Sequence, residues 1–153
     1  MKKKQFVILP LLILLAALSL AVYGCSYITG EALTGSATAP VQKELIRDIS
    51  PAEAYALIAA NAGHANFIII DVRTAEEYAA GHIQGAVNRD IYSPTFKDDI
   101  NKFDKNNIYV IYCRTGIRGA AARDIMKGLG FQEVYNISGG IMDWTAQGFP
   151  VVK

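Results

Sequence analysis

Residues 113–118, Cys113-Arg114-Thr115-Gly116-Ile117-Arg118, place one thiol and two guanidinium groups in a single short stretch, with Gly119 and three alanines directly after it. A loop that leaves a strand and enters a helix can turn several backbone N–H groups inward, and the helix dipole adds partial positive charge at the same point. Thr115, Gly116, Ile117 and Gly119 would supply those N–H groups. Arg114 and Arg118 add two full positive charges, which favour a thiolate at Cys113. The stretch therefore reads as a nucleophile in an anion-binding cradle. The competing reading is an inert, buried cysteine. Two arginines so close would then bring charge into an interior where it needs pairing.

For the cradle to form, a strand must deliver Cys113 and a helix must begin just beyond it. Residues 108–112, IYVIY, are a short apolar run, the pattern of a strand buried on both faces of a parallel sheet, and a helix is expected over about 118–129. Residues 67–70, FIII, repeat the pattern and run into Asp71-Val72-Arg73. Both polar clusters thus fall at the carboxyl ends of strands, where ligands bind on parallel sheets. Ser50-Pro51-Ala52-Glu53 and Thr74-Ala75-Glu76-Glu77 have capping-box spacing. They predict a helix over 51–61, with Ala54, Leu57 and Ile58 facing the core, and a second helix just after Thr74. Residues 134–137 read as another strand, and Gly139-Gly140 as a turn before a last helix. Residues 91–107, of mixed charge, read as loops that shape the pocket. Strand and helix alternate, which predicts an α/β domain of three layers, a mostly parallel central sheet with helices on both faces.

The segments DVRTAEEYAAGHIQGAVN (71–88), YCRTGIRG (112–119) and GFQEVYNISGGIMDWTAQGFPV (130–151), in this order and spacing, resemble a single-domain rhodanese, a thiosulfate sulfurtransferase-like domain, over residues 43–153. The resemblance implies that Cys113 accepts a sulfane sulfur as a persulfide and hands it to a nucleophile, a thiol or cyanide. Four residues separate Cys113 from Arg118. Tyrosine and dual-specificity phosphatases of similar fold have five, so this shorter C-x4-R loop is similar to the sulfur-transferring branch. Its smaller ring of N–H groups suits a terminal sulfur better than a phosphate. Arg114 and Arg118 would hold the oxygens of a small anionic donor such as thiosulfate, and the loop N–H groups would stabilise thiolate and persulfide.

The same resemblance makes Asp71 and Arg73 a pair that supports the loop, with a surface salt bridge as the alternative. His82 is expected to be structural, and Trp144 and Met142 to pack in the core or line the pocket rim. Many family members have Ser where this chain has Gly119, so a hydroxyl near the helix start is missing, with Thr115 as a partial substitute. No metal or organic cofactor is called for. Two further functions stay open: a non-catalytic rhodanese-like binding or persulfide-carrier module, and a thiol oxidase or sensor.

The first residues differ in composition from the rest. Lys2, Lys3 and Lys4 precede an uncharged apolar run over 6–22, and Cys25 follows, which is the layout of an export signal. Val22-Tyr23-Gly24-Cys25 resembles a bacterial lipobox, implying cleavage before Cys25, lipidation of its thiol and a membrane tether. An uncleaved anchor and cleavage after Ala39 are the alternatives, and each puts the domain outside the cytoplasm, in the cell envelope. The expected organisation is a signal peptide at 1–24, a Gly/Ser/Thr-rich flexible tether at 25–42 and the rhodanese-like domain at 43–153.

Residues 1–24 hold three of the 15 Lys and Arg and none of the 14 Asp and Glu, so the remainder has 12 against 14, a net charge of −2. That excludes a nucleic-acid binder driven by bulk positive charge. The remaining 129 residues suffice for one domain of the common size of roughly 100 to 150 residues. Two cysteines 88 positions apart give neither C-x-x-C nor zinc-ligand spacing.

Overall fold

The computed structural model describes residues 45–153. The expected signal peptide and tether, with Cys25, lie outside the described residues. Strands and helices alternate along the chain: β1 (Leu45–Ile49), α1 (Pro51–Ala60), β2 (Phe67–Asp71), α2 (Ala75–Ala80), β3 (Ala86–Asn88), α3 (Phe96–Asn101), β4 (Ile108–Tyr112), α4 (Ile117–Gly128), β5 (Glu133–Ile137) and α5 (Gly140–Ala146). The five strands form one parallel sheet in the order β1-β5-β4-β2-β3.

The continuous apolar runs of β2 and β4 occupy the middle of the sheet because they can be covered on both faces. On one face Val110 and Tyr112 pack with Ala54 of α1 and Trp144 of α5. On the other, Tyr109 and Ile111 pack with Phe96 and Ile100 of α3 and Ala122 and Met126 of α4. This is the three-layer α/β architecture that the alternating pattern predicts.

Both capping boxes form. Ser50 accepts the Glu53 N–H at 3.2 Å and Thr74 accepts that of Glu77 at 3.3 Å, while each glutamate reaches back to the capping N–H. α1 stops at Ala60, one residue short of expectation, where the Asn61 amide donates to the Leu57 carbonyl. β1, β3 and α3 have no counterpart among the elements that the sequence pattern predicts, and α3 lies within the stretch expected to be loop. Register brings the chemistry together: Asp71 pairs with Tyr112, and Ile111 with Asn136, so β2, β4 and β5 end side by side.

Candidate active site

Cys113 is fully buried at the end of β4. The next residues turn sharply because Gly116, which caps α4, has φ 89°, a left-handed conformation that glycine adopts at no steric cost. That turn starts α4 at Ile117, one residue earlier than expected, and aims the Gly116 N–H at the Cys113 Sγ at 3.2 Å. The loop carbonyls are held the other way. The first turn of α5 donates two bonds to them, Ile141 N–H to the Cys113 carbonyl at 2.9 Å and Met142 N–H to that of Arg114 at 3.1 Å. This approach is possible because residue 140 is glycine: a Cβ there would run into the Cys113 and Arg114 carbonyls. With the Cys113 and Arg114 carbonyls drawn toward α5, the Gly116 N–H faces the thiol, where it can stabilise negative charge.

A second support comes from Asn136 on β5. Its amide donates to the Gly116 carbonyl at 3.2 Å and to Asp48 at 2.9 Å, and Asp48 in turn pairs with Arg123 of α4. Its own carbonyl oxygen is buried without a partner. A Cβ at residue 119 would overlap that oxygen. The site therefore has glycine at 119 because Asn136 fills the space a side chain would need.

The two arginines of the loop differ. Arg118 is clamped by Glu77 of α2 through both carboxylate oxygens, at 2.7 and 2.8 Å. That pairing holds the Glu77 carboxyl down at about 2. The side chains of Arg114 and Thr115 are exposed and make no polar contact among the described residues. Asp71 and Arg73 form a buried pair rather than a surface salt bridge. The Arg73 guanidinium donates to both Asp71 oxygens at 2.6 to 3.0 Å and to the Gly81 carbonyl at 2.6 Å, and it lies over the Tyr112 ring.

Residues 50–147 match the family model of the Rhodanese-like domain. The chain belongs to the rhodanese-like family. It is 36% identical over 107 residues to a thiosulfate sulfurtransferase, GlpE, of Pseudomonas entomophila, covering 65% of this chain and 92% of that protein. It is 38% identical over 95 residues to the tRNA uridine(34) hydroxylase of Buchnera aphidicola subsp. Acyrthosiphon pisum, but spans only 29% of that protein's length. Among solved structures it is similar to a rhodanese-related protein of Thermoplasma volcanium, with 30% identity and a TM-score of 0.59 over 69% of this chain and 97% of that one.

Outside the loop, the rhodanese-like domain opens in a shallow depression of about 360 Å³, lined among others by Arg73, Glu77, Arg114, Met142 and Val151. Met142 is exposed at this rim, while Trp144 is buried and donates its indole N–H to the Pro150 carbonyl. His82 stacks on Tyr78, with Nδ1 3.1 Å from the Tyr78 carbonyl. Its backbone bridges to Val152. Among the described residues no group of three or more His, Cys, Asp or Glu side chains is placed to hold a metal ion. Sequence spacing marks Glu77 only as a helix cap and Gly140 only as a turn. It gives no sign of Asn136, whose role depends on the β4–β5 register.

Proposed function

We propose that this rhodanese-like domain is a sulfurtransferase that carries sulfane sulfur as a Cys113 persulfide. The observation that carries the proposal is the Gly116 N–H directed at the Cys113 Sγ from a six-residue loop whose Cys113 and Arg114 carbonyls are bonded to α5. A donor held in that position stabilises negative charge on sulfur before and after transfer. The Cys113 thiolate attacks the terminal sulfur of a donor such as thiosulfate: the new S–S bond forms, the donor's S–S bond breaks, and sulfite leaves with the electron pair. Arg114, free at the mouth, binds the donor's anionic end. Cyanide or a thiolate then attacks the outer sulfur, and Cys113 leaves as the thiolate. Arg118, Thr115, Gly116, Ile117 and Gly119 shape the cradle, and the Asp71–Arg73 pair supports it from the end of the neighbouring strand.

The basic, apolar leader and Cys25 support placing the domain in the cell envelope, tethered to a membrane through the lipidated cysteine. Steady-state turnover of thiosulfate and cyanide to thiocyanate tests the catalytic part. Parallel double-reciprocal lines, expected for a two-step covalent carrier, together with no turnover in Cys113→Ser, agree with it. Intersecting lines or an active Ser variant overturn it.

A further inference from the structure

The charges at the mouth largely cancel. Arg73 is consumed by Asp71 and Arg118 by both oxygens of Glu77, which leaves Arg114 as the one unpaired cation of the site among the described residues. Besides the paired Arg73 and Glu77, the depression it lines is largely apolar, with Ala80, Ile141, Met142 and Val151. Ile117 is 76% exposed and Tyr92 is 71% exposed, and Met142 and Val151 are each close to half exposed. These are four of the six large hydrophobic side chains that the described fold leaves exposed. Tyr92 lies against the Arg118 guanidinium, and Met142 and Val151 line the depression with Arg114. Single exposed apolar residues are ordinary, but two that line one depression with the unpaired cation, with Ile117 exposed in the loop itself, mark a surface that is covered in use.

We infer that the preferred donor is an organic sulfane compound with a single negative charge and an apolar substituent, of the thiosulfonate type R–SO2–S−, rather than the dianion thiosulfate. The inference rests on the sulfurtransferase function proposed above and specifies its substrate. Arg114 balances one charge. A second donor charge would find Arg118 already neutralised and the Glu77 carboxylate beside it, a like charge at short range. The R group would instead cover Ile117 and Met142, removing apolar surface from water. The step balances: the Cys113 thiolate forms a bond to the terminal sulfur, the sulfur–sulfur bond of the donor breaks, and a sulfinate R–SO2− leaves with the pair. Two negative charges enter and two remain, one on the persulfide and one on the sulfinate.

The test measures kcat/KM for benzenethiosulfonate, methanethiosulfonate and thiosulfate, with cyanide as acceptor and thiocyanate as readout. The expected order is benzene above methane above thiosulfate, with about tenfold or more between the extremes. Glu77→Gln, which frees Arg118, is expected to raise kcat/KM for thiosulfate several-fold and narrow the gap. Met142→Ser, which does not depend on Glu77's part in folding, is expected to lower kcat/KM for benzenethiosulfonate several-fold more than for thiosulfate. A parent enzyme that prefers thiosulfate, or a preference that neither variant moves, overturns the inference while the sulfurtransferase function stands. No thiocyanate from any donor overturns that function itself.

Discussion

At the scale of single residues, the loop depends on a contact between two positions 17 apart in the chain, Gly119 and Asn136. The Asn136 amide holds the Gly116 carbonyl, and its oxygen occupies the place of a residue-119 side chain. Gly119→Ala is expected to destabilise the protein by about 1 to 3 kcal/mol, the usual cost of overpacking a tight interior. Asn136→Ala alone gives up two hydrogen bonds at about 1 kcal/mol each. The double variant should cost clearly less than the sum, because removing the amide makes room for the methyl group. Urea unfolding of the four proteins measures this, and strict additivity would contradict the contact. The absence of Ser at 119 was visible from the sequence as a missing hydroxyl. Its cause was not, because Asn136 reaches Gly119 only through strand pairing.

Among the elements, α2 is tied to α4 by one carboxylate. Glu77 closes its own capping box and also grips Arg118, so the start of one helix fixes the start of the other. The Glu77 carboxyl is held below its ordinary 4.5, at about 2, first by the hydrogen bond from Arg118. A depressed carboxylate contributes stability that is full above the unfolded value and is lost as pH falls through the folded one. The clamp should therefore be intact above pH 4.5 and fail between there and about 2. Comparing the parent with Glu77→Gln by chemical unfolding across this window is expected to show the parent losing more stability as pH falls. Parallel losses would contradict the clamp. Elements whose signals are local were legible: the capping boxes gave α1 and α2, and the apolar runs gave β2 and β4. β1, with exposed Arg47 and Asp48, and β3, of three residues, lie at sheet edges and have no such run. α3 buries only Phe96 and Ile100, too short a repeat to stand out among its charges.

For the molecule as a whole, the fold gathers segments from four stretches of chain at the carboxyl ends of its strands: 71–77 from β2 and α2, 113–119 from β4 and α4, Asn136 from β5, and 140–142 from α5. The sheet supplies the register and the helices supply the donors. Neither alone would turn the Gly116 N–H toward Cys113. The alternation of strand and helix made the architecture legible, because each buried strand needs cover on both sides. The supports of the loop were legible only where they adjoin a motif, as Asp71 and Arg73 do, since contacts across the sheet leave no local spacing. On the function proposed here, this arrangement holds sulfur on Cys113. Its most direct test is the intact mass of the protein after incubation with thiosulfate or benzenethiosulfonate, beside Cys113→Ser. One added sulfur atom on the parent only, removed by cyanide, is the predicted result; an unchanged parent mass with both donors, or the same adduct on the Ser variant, would contradict it.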